Sequence, residues 1–243
     1  IIDPLTKNIE QVNDHISELF GADKEKLLGH RCHHFLCPAD EGACPVCDLG
    51  KTVDNSERVM LRVDGSRIPI LKTVKRVSLG GQDKLLECFV DISDRKRSEE
   101  LIKLRLTLME FAATHSLDEL LQKTLDEVSR ISDSPIGFYH FVSEDQKTLS
   151  LQAWSTQTLQ EFCKAEAKGF HYSIDQAGVW VDCVREKKAV IHNDYNSLPH
   201  RKGLPKGHAP VIREMVVPVI RNNKIKAILG VGNKTKPYND KDL

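Results

Sequence analysis

The 243-residue chain sets 35 acidic against 35 basic side chains and holds no basic block, which argues against nucleic acid or another polyanion as partner. No apolar run reaches the length of a membrane span and no signal peptide is visible, so a cytoplasmic chain with no membrane segment is expected. Seven cysteines, an odd number, fit a reducing compartment better than a secreted disulfide framework, and the length suits two ordinary domains.

The chain opens on Ile1-Ile2-Asp3-Pro4 as though inside a strand, and is read as a piece of a longer protein. Residues 1–7 read as a strand end and turn, and 8–13 alternate as its hairpin partner. Asn13 or Asp14 then caps a short helix whose apolar face is Ile16, Leu19 and Phe20, with Gly21 as its stop. A further helical turn is expected before Gly29. Three strands follow, at 58–63, 67–77 and 84–90, separated by Asp64-Gly65 and Gly80-Gly81; Pro69 marks an edge position or a bulge in the middle one.

Asp91, Ser93 and Asp94 are candidate caps for the helical pattern that comes next. Leu101, Leu104, Leu108 and Phe111 recur at three, four and three, the spacing of a seam between two helices, among mostly charged neighbours. Two heptads are too short to hold a coiled coil alone, so a helix packed on its own domain competes with the favoured reading, a linker helix that pairs with its copy in a homodimer.

Ser116 stands three residues before Glu119, the capping-box spacing, and Leu120, Leu121, Leu125, Val128 and Ile131 repeat at helical intervals. Strands are predicted at 136–142 and 148–153, helices at 159–167 and 175–186, and a strand at 188–192. A long loop at 193–210 and a hairpin of 215–221 and 224–231 across Asn222-Asn223 complete the pattern.

Asp91-Ile92-Ser93-Asp94-Arg95-Lys96 resembles the D-I-[ST]-x-R-K ending of PAS sensor domains, where the last strand runs into a signalling helix. The second half resembles GAF domains of bacterial and archaeal sensor kinases through Ser134-Pro135-Ile136-Gly137-Phe138-Tyr139-His140-Phe141, Ala177-Gly178-Val179-Trp180, Ile191-His192-Asn193-Asp194-Tyr195 and Gly230-Val231-Gly232-Asn233-Lys234. The fold class implied is α+β in two domains: a PAS five-stranded antiparallel sheet with short helices, then a GAF mixed α/β/α sheet, joined by a long helix. The divisions are 1–93, 94–115 and 116–243. The resemblance implies a PAS–GAF sensory input region, non-enzymatic in itself. Its parent is a histidine kinase or, second, a cyclic-nucleotide enzyme, with the output domain downstream in the same chain.

Two groups of residues carry chemistry. Cys32, Cys37, Cys44 and Cys47 are spaced C-x4-C-x6-C-x2-C beside His30, His33 and His34, and thiolates so placed can surround a tetrahedral zinc ion. The segment resembles a PAS subgroup with a C-H-x-F-[IL]-C-P-A-x-x-G-x-C-P insert, in which the position of Cys47 is not regularly cysteine. A histidine ligand, a Cys44/Cys47 redox pair, an iron–sulfur cluster and unliganded thiols therefore stay open. In the second half, Phe138, His140, Trp154, Trp180, His192, Asp194, Tyr195 and His208 are candidates for a small-molecule pocket, since aromatic walls and neutral imidazoles suit a planar ligand such as haem, which Cys163 or Cys183 could tether. The competing reading makes Trp180 and Tyr195 core and Asp194 a loop cap. Asn233-Lys234-x3-Tyr238-x3-Asp242 is similar to the signature of nucleotide-binding GAF domains, with Tyr for Phe and Leu243 for Glu, and points to the fold rather than to a nucleotide. Phosphate-loop and hydrolase-elbow motifs are missing, and the alternative class is a thiol-based enzyme (a Cys163–His hydrolase) or a redox-active GAF-like domain of the methionine-sulfoxide-reducing kind.

Overall fold

The structure, a computed structural model, describes residues 1–33, 42–162, 171–202 and 210–243. These divide into two compact units, Ile1–Lys103 and Leu104–Leu243.

In the first unit, α1 (Asp14–Phe20) starts where the Asn13 side chain accepts the Ile16 N–H at 3.0 Å. It stops at Gly21, whose φ of +70° lets its N–H turn back to Ser17 and Glu18. A single turn, α2 (Lys24–Leu27), follows. Strands β1 (Val53–Leu61), β2 (Arg67–Leu79) and β3 (Gln82–Asp91) form an antiparallel meander. Its second turn is Gly80-Gly81, both at positive φ as a tight hairpin requires. Among the described residues the expected first two strands are present only as isolated bridges, Ile2 to Leu85, Ile2 to Ile9 and Asn8 to Arg31. The reason is local: Asp3 accepts the N–H groups of Leu5 and Thr6, so the chain turns at once after Ile2. Pro69 sits in the middle strand, opposite Val59, beyond the last β2–β3 pair at Ile70 and Asp91. There its missing N–H interrupts no rung. Ile2, Ile9, Phe20, Leu27, Met60, Ile70, Val74 and Leu85 make the core, with Cys32 buried among them.

Helix α3 (Ser93–Ala112) follows directly on β3 and buries no residue. The second unit continues with α4 (Leu117–Ile131), opened by the expected capping box. Strands β4 (Ile136–Val142), β5 (Thr148–Trp154), β6 (His171–Ser173), β7 (Val190–His192), β8 (Glu214–Arg221) and β9 (Lys224–Gly232) form one sheet in the order β6-β5-β4-β9-β8-β7. Every pairing in it is antiparallel. The β8–β9 hairpin closes on Asn222 and Asn223, with φ of 49° and 58°. Gly230 lies opposite Phe138, and the Phe138 ring occupies the space where a Cβ at 230 would fall, 2.1 Å from Cζ.

The helix expected over 175–186 is shorter. Gln176 and Ala177 fold back on Ser173, so regular structure begins only with a 3-10 turn at Val179–Val181 and α5 (Asp182–Glu186). The helix expected over 159–167 is represented by a π-helical turn at Thr158–Phe162, and its remainder lies outside the described residues.

Candidate functional sites

The junction between β3 and α3 is fastened at several points. Asp91 Oδ1 accepts the Ser93 N–H at 2.7 Å, so the aspartate supplies the cap that a first helical turn lacks. Ile92 is buried. Arg95 and Lys96 both reach Glu57 of β1 at 2.6 Å, which holds the Glu57 carboxyl below its usual range. Each side chain of the D-I-S-D-R-K stretch that touches the sheet thus fixes where the helix begins. Along that helix Leu101 is exposed and Leu104, Leu108 and Phe111 are half-buried. Ile102, Leu106 and Met109 are more than half exposed, so apolar surface is not confined to the seam. Phe111 stacks on His115 at 3.6 Å, and with Leu151, Trp154 and Leu159 it lines a groove of about 550 Å³.

In the second unit β4 alternates so that Phe138 and His140 share a face. Trp154, the cross-strand partner of Phe138 on β5, and Trp180, from the 3-10 turn, close around them. Phe138 meets His140, Trp154 and Trp180 edge-on at 5.6, 6.1 and 5.9 Å, and His140 lies 4.7 Å from Trp180. These are the separations at which aromatic pairs attract beyond simple burial. His140 is 5% exposed, and burial pushes its pKa down to about 3, so at neutral pH it is an uncharged imidazole.

Beside this cluster is a charged one. His192 Nδ1 lies 3.0 Å from Glu214, its cross-strand partner, and its Nε2 3.7 Å from Asp182. His200 Nε2 approaches the same Asp182 oxygen at 2.7 Å, and Arg185 holds the other at 2.6 Å. Asp182 and Glu214 are almost fully buried, and the Glu214 hydrogen bond raises the His192 pKa against the opposing effect of burial. Sequence reasoning missed both carboxylates. The available signal was Glu214 itself, the one charge heading an apolar strand.

Of the remaining candidates, Tyr195 is buried, while Asp194 caps a 3-10 turn (Tyr195–Ser197) by accepting the Ser197 N–H at 3.3 Å. The Asn233–Asp242 motif is bound up in support: Asn233 accepts from Ile212 and donates to Pro210, Lys234 pairs with Asp242, and Tyr238 shares a 2.7 Å hydrogen bond with Ser134. His208 and Cys163 lie outside the described residues. Cys183 is buried next to Asp182, and desolvation with the charges of Glu214 and Asp182 pushes its thiol up to about 12, the opposite of an activated nucleophile.

At the cysteine segment, Cys44 and Cys47 occupy one turn and Cys32 is in the core, while Cys37 and His34 lie outside the described residues. Among the described residues no group of three His, Cys, Asp or Glu side chains is arranged to hold a metal ion.

A chain with an antiparallel meander feeding a helix, followed by a helix-led six-stranded sheet, is a two-module α+β protein in its architecture. It belongs to the GAF domain family, whose model matches residues 114–243, and carries a PAS domain matched over residues 1–94. A curated relative, the methyl sulfide methyltransferase-associated sensor of Methanosarcina acetivorans, is 28% identical over 96% of this chain. The chain spans only about a quarter (24%) of that relative's length. The GAF domain of an Acinetobacter phosphoenolpyruvate-protein phosphotransferase is similar with a TM-score of 0.49 and 18% identity, covering 59% of this chain and 83% of that one. The chromophore-binding domain of Stigmatella aurantiaca bacteriophytochrome matches 92% of this chain and 81% of its own, with a TM-score of 0.41 and 15% identity. No helix among the described residues is long and apolar enough to cross a membrane.

Proposed function

We propose that this chain is the sensory input region of a signal-transduction protein, a histidine kinase by preference, in which residues 94–115 relay a change in the PAS (1–93) or GAF (116–243) module to an output domain of the same longer chain. The observation that carries the reading is the fastened helix start: a helix clamped to its sheet at Asp91, Ile92 and Glu57, yet burying none of its own residues, is suited to pass on a displacement rather than to build a core. The name and greater length of the curated relative support a sensor with further domains.

Homodimerisation through Leu101, Leu104, Leu108 and Phe111 is part of this proposal. Sedimentation tests it: Leu104→Glu and Leu108→Glu weaken association by placing a charge in the seam, while Lys103→Glu leaves it unchanged. Equal association of all three variants removes the relay through paired helices.

The GAF half is proposed to take a planar or aromatic ligand against Phe138, His140, Trp154 and Trp180, with His192, Asp194 and Tyr195 contributing; His208, expected to join them, lies outside the described residues. Haem is one such ligand, and a histidine of this half would supply the nitrogen to its iron. Titration with haem, cyclic nucleotides and a metabolite panel is expected to raise the melting temperature for one of them, and Trp180→Ala to abolish the rise. The thiol-enzyme alternative rests on Cys163, which lies outside the described residues, while the buried Cys183, its thiol pushed up to about 12, is unsuited to that role.

A further inference from the structure

We infer that Cys44 and Cys47 are a reversible dithiol–disulfide pair, which makes the PAS module a thiol-redox input to the sensor proposed above. The Cys44-Pro45-Val46-Cys47 stretch is a single tight turn. The N–H groups of Asp48 and Leu49 both donate to the Cys44 carbonyl at 3.0 Å, which brings positions 44 and 47 onto one side. The Cys47 N–H donates to Cys44 Sγ, 3.4 Å away, so the two residues meet within the turn. Both are half-buried, within reach of a small solute.

The turn is held independently of its sulfurs. Asp48 Oδ2 accepts the Cys44 N–H at 2.8 Å, and both Asp48 oxygens meet Lys7 Nζ at 2.7 Å. Joining the sulfurs therefore asks little of the backbone. The two positions are also unequal. Cys44 Sγ accepts the Cys47 backbone N–H, which fixes that sulfur within the turn, while Cys47 supplies the donor. Cys44 is accordingly the attacking sulfur and Cys47 the resolving one. Cys32, by contrast, sits in the core with its thiol pushed up to about 12 by burial.

The oxidant is a low-molecular-weight disulfide. The Cys44 thiolate attacks one of its sulfurs, the reagent S–S bond breaks, and one small thiolate leaves. Cys47 then gives its proton to solvent and attacks Cys44 Sγ, the mixed disulfide breaks, and the second small thiolate leaves. Two protein thiols are oxidised by two electrons, and the reagent disulfide is reduced to two thiols.

The experiment uses the full 243-residue chain. It is equilibrated in reduced and oxidised glutathione at graded ratios, quenched by alkylation, and read by intact mass and peptide mapping. The expected result is a cross-link between Cys44 and Cys47 that dithiothreitol reverses. Cys47→Ser accumulates glutathione on Cys44, Cys44→Ser accumulates none on Cys47, and Cys183→Ser behaves as the parent. Three results overturn the inference: both thiols stay alkylatable at every ratio, the bridge maps to Cys32 or Cys37, or the thiols become alkylatable only after a chelator strips about one zinc per chain, which identifies a metal cage. Sedimentation of Cys44→Ser separates this failure from that of the sensor proposal. An associating dimer without a Cys44–Cys47 bridge loses only the redox input.

Discussion

The two units bury charge in different ways. In the first, lysine meets carboxylate: Lys72 lies 3.0 Å from Glu87 and 5.4 Å from the Phe89 ring, and Lys84 reaches Asp3 at 3.0 Å and Glu10 at 2.7 Å. Glu10 and Asp3 raise the Lys84 pKa, and the Thr6 backbone N–H together with Lys84 lowers that of Asp3 to about 2. In the second, imidazole is the partner, and His140 is buried with no net charge at all. The buried ion pairs of the first unit use lysine, whereas those around Asp182 and Glu214 in the second use imidazole, the side chain whose ordinary pKa lies nearest neutrality.

Packing sharpens the contrast most strongly. Gly230→Val sets a side chain inside the Phe138 ring and is expected to destabilise the second unit by about 3 kcal/mol or more, read by chemical denaturation. Gly65→Ala in the first unit meets open space and strains only a positive φ, so about 1 kcal/mol is expected. Similar losses at the two sites would break the comparison.

Acid is the next lever. The folded pKa of His140 is depressed, so its contribution is complete above the unfolded value of 6.5 and is lost as pH falls from there toward about 3. The melting temperature of the second unit should drop over that window, and His140→Phe should flatten the drop. An unchanged slope would show that other groups govern acid sensitivity.

His192 works in the opposite sense. Its pKa is raised by Glu214, so its contribution is full below 6.5 and disappears as pH rises through the folded value. His192→Gln keeps a donor for Glu214 without titrating, and stability on the alkaline side of neutrality should then become flat. The group is only partly buried, so the effect is smaller than that of His140.

The smallest effect belongs to the first unit. Glu57→Gln loosens the hold on Arg95 and Lys96, both exposed ion pairs. Faster amide hydrogen exchange at 93–97 is expected, with little change in melting. Unaltered exchange would mean that the Asp91 cap and Ile92 hold the helix start alone.

Much of the fold could be read from local chemistry. Asn13, Ser116, Gly80-Gly81 and Asn222-Asn223 each specify a cap or turn within four residues, and the structure uses each so. The aromatic members of the candidate site were also visible, because strand alternation puts Phe138 and His140 on one face. What escaped depends on residues brought together over long separations. Nothing near Asp182 announces that His200 and His192 converge on it, and nothing near Glu214 announces His192, since these meetings follow from strand order. The shortened helix at 182–186 has a similar cause: the apolar spacing of Val179, Val181 and Val184 suits a helix, but the hydrogen bonds to Ser173 claim its first turn.

Ile92 has a consequence for timing and direction. Its N–H donates to Pro69 at 3.1 Å as the last rung beside β2, and its C=O accepts the Lys96 N–H at 2.9 Å as the first rung of α3. One residue therefore belongs to both hydrogen-bond ladders, with no loop between them to absorb slack. A twist of the sheet edge reaches the helix as torque about a single peptide, and a rotation of the helix returns along the same path. Inserting even one residue after Ile92 would act like a slipped gear tooth: both ladders could survive while the phase between them is lost.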